Sequence, residues 1–173
     1  MIRLPRSRWI GWLLIALLAL SMSSNLYAES QQKPGAPTKS SLEKIAGLLE
    51  QSGESYTKVK ENTWRIKFNG KALTDFNVLM GSTPEGTLVV FVIVAEKKNL
   101  KGNPPEMMYK LLKFDDDFDF VKIGLDDDDD LIVSANLTVR TLDLQEFKDV
   151  VNRVAAAADQ VYATVRPFTT PHQ

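Results

Sequence analysis

Nine aspartates crowd into residues 115–130: Asp115, Asp116, Asp117, Asp119, Asp126, Asp127, Asp128, Asp129 and Asp130, offset only by Lys122. Hard cations such as Ca²⁺ take about six to eight oxygen ligands, and clustered carboxylates supply them. The EF-hand pattern nevertheless fails in both registers. Begun at Asp126, it puts Leu131 where a glycine is needed and Leu137 where a glutamate is needed; begun at Asp115, it puts Phe120 and Asp126 there. Three readings stand. The run is a solvated hairpin turn whose charge discourages edge-to-edge aggregation of the neighbouring strands, a partner-facing acidic patch, or a calcium site of another kind.

Other chemistry is thin. The chain of 173 residues has no cysteine and one histidine, His172. Without cysteine there are no disulfides, no thiolate metal sites and no thiol catalysis. A histidine at the penultimate position, where chain ends usually fray, is poorly placed to act as a general base. No serine sits in a nucleophile-elbow motif, and the acidic run lacks an evident aromatic-lined cleft to raise a carboxyl pKa for glycoside hydrolysis. These absences argue against an enzyme and call for no cofactor.

A second cluster is apolar. Met107, Met108, Tyr109, Leu111 and Leu112 make one short predicted helix apolar around much of its circumference. One stripe belongs in a core; the surplus suits a protein partner, a homodimer seam or a ligand groove, since methionine serves adaptable surfaces. With Asp126, Asp127, Asp128, Asp129 and Asp130 these are the candidate partner-binding residues. Trp64, on a predicted strand, reads as a core anchor.

The net charge of −1 conceals an uneven distribution. Residues 1–9 carry Arg3, Arg6 and Arg8 and no acid, residues 10–20 (IGWLLIALLAL) are an unbroken apolar run, and a small polar stretch leads to Ala28 and Glu29. That is the layout of a secretory signal peptide over residues 1–28, with cleavage expected after Ala28. An uncleaved anchor is the alternative, but a membrane span needs about 20 apolar residues. The remaining chain is acidic at −4, which argues against a nucleic-acid binder; contact with a membrane is expected only during export. Residues 33–113 sum to +5 and residues 115–130 to −8, an asymmetry that orients encounters with a partner or balances within the molecule. The expected location is the periplasm or the exterior.

The elements that must position these groups follow from periodicity. Residues 29–40, with two prolines and a glycine, read as a flexible linker. Ser40-Ser41-Leu42-Glu43 matches a capping box, and Leu42, Ile45, Leu48 and Leu49 share one face, predicting a helix over residues 41–52 closed by Gly53. Period-two alternation then predicts strands around Tyr56 and Val59, over Trp64, Ile66 and Phe68, and over residues 76–80. Residues 88–95 (LVVFVIVA) are almost continuously apolar, which predicts a central strand covered on both faces. Pro104 or Pro105 opens a helix running through residues 106–114. Strands over residues 118–125 and 131–137 flank the acidic turn. Asp143 caps a long helix with an apolar face of Leu144, Phe147, Val150, Val151, Val154, Ala158, Val161 and Tyr162. The fold class is α+β: an antiparallel sheet of five to six strands with helices mainly on one side, in the order α-β-β-β(-β)-α-β-β-α. One domain spans residues 41–166, and residues 167–173 form a loosely held tail.

Trp64-Arg65-Ile66-Lys67-Phe68, residues 108–113 (MYKLLK), residues 120–137 around the acidic turn and residues 144–158 together resemble the YbjN-like family and, more broadly, the type III secretion chaperone fold. The resemblance implies a binding or regulatory module, dimeric in some members, without catalytic residues. Type III chaperones work in the cytoplasm, whereas this chain carries an export signal, so the expectation is an exported, non-catalytic module that binds an unidentified protein. Calcium binding through the Asp-rich hairpin is the alternative.

Overall fold

A computed structural model describes residues 37–102 and 104–170. The expected signal peptide, most of the linker and His172 lie outside the described residues. Within them, no helix is long and apolar enough to cross a membrane.

Helix α1 (Lys39–Ser52) starts two residues earlier than the capping box predicts. Thr38, in extended conformation, accepts a hydrogen bond from the Ser41 amide on its Oγ1, so Thr38 rather than Ser40 is the cap. Gly53 ends the helix at φ 76°, a left-handed geometry that costs glycine little. Ile45, Leu48 and Leu49 are buried, as their spacing requires.

Six strands follow: β1 (Tyr56–Lys60), β2 (Thr63–Phe68), β3 (Phe76–Ser82), β4 (Thr87–Ala95), β5 (Lys122–Leu125) and β6 (Leu131–Thr138). They form one antiparallel sheet in the order β1-β2-β3-β4-β6-β5. Helix α2 (Pro105–Asp117) lies between β4 and β5 in the chain, and α3 (Leu144–Val165) follows β6. Asp143 accepts from the Glu146 amide at 2.8 Å and caps α3 as its position predicts.

One face of the sheet makes the core. Trp64 and Ile66, Val78 and Met80, Leu88, Val90 and Val92, and Leu131, Val133 and Ala135 alternate inward along β2, β3, β4 and β6. Helix α3 lies on β4 and β6, and α1 and α2 pack against it. Its Phe147, Val150, Val151, Val154, Ala158, Val161 and Val165 join the same cluster. Small side chains at Ala155, Ala157 and Ala158 let the helix approach the strands closely. Each large apolar side chain removed from water here contributes about 1.5–3 kcal/mol.

Three local expectations change. Strand β4 is central, but only one of its faces is covered: Val89 and Phe91 are half-buried and Ile93 is 38% exposed. Continuous apolarity is therefore not proof of two-sided burial; the odd-numbered residues belong to an open face. The strand expected from residue 118 begins only at Lys122, because α2 runs on to Asp117 and a turn follows with Phe120 at φ 66°. The Asp115 carboxylate accepts from the Ile123 amide and ties that helix end to β5. Finally, residues 168–170 are not loose. Leu100 and Thr169 form a β-bridge, the Lys101 amide donates to the Phe168 carbonyl, and the Thr170 amide donates to the Asn99 carbonyl, both at 2.8 Å.

Candidate functional site

Helix α2 carries two apolar stripes at i, i+4 spacing, and the fold separates them. Met107 and Leu111 point into the core, at 1% and 5% exposure, and so leave the candidate surface on which they were expected. Met108, Tyr109 and Leu112 point outward, Leu112 being 70% exposed. Phe120, in the turn after the helix, and Leu125, at the end of β5, are exposed beside them in the chain order. Strand β5 has a strand neighbour only on its β6 side, and on its other edge the Ile123 amide is taken by the Asp115 carboxylate. A cavity of about 110 Å³ between α2 and β5 is lined by Met108, Leu112, Ile123 and Leu125. Along the helix itself Phe114 stacks on Phe118, with ring centroids 5.8 Å apart, and Lys110 pairs with Glu106; Lys110 also reaches beyond the helix to lie over the Phe168 ring.

The acidic run is organised mainly as a turn. Asp126 Oδ1 accepts from the Asp128 and Asp130 amides at 3.0 and 2.9 Å, while the Asp126 amide donates to the Asp130 carbonyl. Asp129 takes φ 62° and pairs with Lys97 Nζ; Asp130 accepts from the Lys97 amide at 2.8 Å. Hydrogen bonding to Asp129 and its charge raise the Lys97 pKa. Asp126 thus serves its own turn while Asp129 and Asp130 both engage Lys97, and among the described residues no three acidic groups converge on a point that could hold a metal ion.

Sequence reasoning missed Asp159. From the middle of α3 its carboxylate accepts from the amides of Lys71, Ala72 and Leu73, at 3.1, 2.7 and 2.7 Å, gathering the loop that leads into β3. Burial pushes this carboxyl up, but the amides of Leu73, Ala72 and Lys71, with the Lys71 charge, outweigh it and hold it below the ordinary aspartate range. A Cβ added at Gly70 would overlap the carboxylate, so a side chain there would have to displace it. The one local signal was an aspartate between the apolar face residues Ala158 and Val161. Two buried polar atoms on the open face of the sheet also went unforeseen: Arg65 Nε and Asn77 Oδ1 have no hydrogen-bond partner among the described residues.

A family model described as "Putative bacterial sensory transduction regulator" matches residues 41–167. The chain belongs to the YbjN family. No curated protein matches it. Among solved structures, the YbjN domain is similar to a chain of the heterodimeric ExoU–SpcU complex of the Pseudomonas aeruginosa type III secretion system. Identity there is 21%, over 74% of this chain and 99% of that one, with a TM-score of 0.51. A chain from the Yersinia pestis type III secretion chaperone SycH bound to a fragment of YscM2 gives 15% identity, 70% and 98% coverage and a TM-score of 0.52. A chain of the ExsC–ExsE complex gives 14%, 76% and 98%, and 0.52. At these identities the likeness is one of fold: the YbjN domain has the type III secretion chaperone-like α+β architecture expected of it.

Proposed function

We propose that this YbjN protein is a non-catalytic binding module of the bacterial envelope that acts by contact with another protein. The observation that carries the reading is the outward stripe of α2, where Met108, Tyr109 and Leu112 stand beside the open edge of β5. Exposed apolar groups next to a strand edge that no other strand covers suit a protein surface, which would cover both. The structures of similar fold are complexes of two proteins, and the family's description as a regulator agrees with binding rather than turnover. The absence of cysteine and the single histidine at position 172 support a role without catalysis. The basic and apolar start of the chain supports export, with the first 28 residues removed.

Light scattering on the purified protein tests the surface. A second copy of the chain is the partner that can be examined first, and Leu112→Glu is expected to dissociate a dimer into monomers without loss of fold. A wild-type monomer whose cross-links in envelope extract are unchanged by Leu112→Glu would overturn the assignment of this surface. Intact mass of the exported protein tests the leader: retention of residues 1–28 would favour a tethered form.

A further inference from the structure

Strands β3 and β4 are bonded along only part of their lengths. The ladder pairs Ser82 with Leu88, Gly81 with Val89, Met80 with Val90 and Leu79 with Phe91, and there it stops. Strand β3 nevertheless extends back to Phe76 and β4 forward to Ala95. Beyond the last pair each strand keeps its outer neighbour. Phe76, Asn77 and Val78 remain paired with Phe68, Lys67 and Ile66, and Val92, Ile93 and Ala95 with Val133, Ile132 and Leu131. The sheet is therefore split from within, and the inner edges of residues 76–78 and 92–95 face each other without ladder bonds.

The split is built in. Asp159 holds the loop before β3 against α3, and the β4–β6 register shifts between Ile93 and Ala95, at the end of β4 that borders the split. A cleft of about 940 Å³ occupies the divergence, walled by Asn77 and Leu79 on one side and Ile93 on the other, with Tyr162, Arg166 and Lys101 around it.

We infer that this split is a docking slot for a short extended peptide bearing acidic side chains. Two strand edges that lack a ladder partner for each other suit a polypeptide backbone laid along them. Leu79 and Ile93 provide apolar surface for the alternate side chains of a strand. The free edges are three to four residues long, so at ~3.3 Å per residue they match a segment of roughly 10–13 Å. Charge decides the side chains. Of the ionic groups on the rim, Asp75 is paired with Lys67 and Glu96 with Lys98. Lys101 and Arg166 make no ion pair among the described residues, so the uncompensated charge is positive.

The slot rests on the same protein-binding reading as the α2–β5 face, but it is a separate surface and fails separately. Fluorescence anisotropy with the whole protein tests it, using a labelled eight-residue peptide that alternates valine and threonine and carries two glutamates. The acidic peptide is expected to bind about tenfold more tightly than its lysine counterpart, and about tenfold more tightly than a version N-methylated on alternate amides. The exposed pair Lys101→Glu/Arg166→Glu should weaken the acidic peptide and favour the lysine one, while leaving the oligomeric state unchanged. Leu112→Glu should leave peptide binding intact. Equal binding of the N-methylated peptide would exclude strand docking, an unchanged preference in the charge-reversed variant would exclude the acidic assignment, and no binding at millimolar peptide would overturn the slot altogether.

Discussion

Asp159 and the run at residues 126–130 are both acidic and both organise a loop, yet they do so over different distances. The Asp126 carboxylate satisfies amides two and four residues ahead, and Asp129 and Asp130 reach Lys97, 32 and 33 residues back. Asp159 gathers three consecutive amides from 86 to 88 residues away and joins α3 to the entrance of β3. Most of the charge at the hairpin faces solvent, where it shapes a turn and repels. The lone carboxylate on the helix fixes a piece of tertiary structure. Density of charge in a sequence is thus a poor guide to structural weight; what counts is how many otherwise unpaired amides a carboxylate meets.

The contrast can be broken first at the clamp. Asp159→Ala leaves the Lys71, Ala72 and Leu73 amides without their acceptor and is expected to cost about 1–3 kcal/mol, read from urea unfolding. A neutral result would mean that the loop holds itself. Gly70→Ala should destabilise to a similar or smaller extent by crowding the same carboxylate, about 1–3 kcal/mol, and Asp159→Ala in that background should cost less than it does alone.

Acid sharpens the comparison. The folded Asp159 carboxyl titrates below its ordinary value of 3.8. Its contribution is therefore complete above that value and is lost as pH falls through the lower folded value. Wild-type stability should fall in that acid window, and Asp159→Asn should flatten that part of the profile; an unchanged slope would assign acid unfolding to other groups. At the hairpin, Asp126→Ala removes the acceptor of two exposed or half-buried amides and is expected to cost about 1 kcal/mol. Replacing Asp127 and Asp128 together by asparagine should leave the melting temperature unaltered in calorimetry, because neither side chain accepts a hydrogen bond in the turn. A large drop there would erase the distinction between the two acidic regions.

Much of the architecture was legible in the sequence because it is written in local periods. The alternation of Trp64, Ile66 and Phe68, the face of α3 and its Asp143 cap are read within a few residues, and so is the order of elements. The half-open state of β4 was not legible, since residues 88–95 are apolar at nearly every position and only the placement of the helices decides which alternate set is covered. The same ambiguity divided the candidate surface. Met107 with Leu111 and Met108 with Leu112 are equivalent stripes in sequence, and the sheet alone selects which pair is buried. Asp159 and the split between β3 and β4 depend on partners far apart in the chain, for which a local pattern carries no mark.

The reach of the Asp159 clamp also bears on the order in which the molecule comes together. Linking residues 86 to 88 positions apart closes a long loop, whose entropy must be overcome before the contact returns any stability. The meander β1–β2–β3 can form from neighbours in sequence, but the entry to β3 waits for the helix made from the last part of the domain. Folding of this chain should thus end, rather than begin, at Gly70.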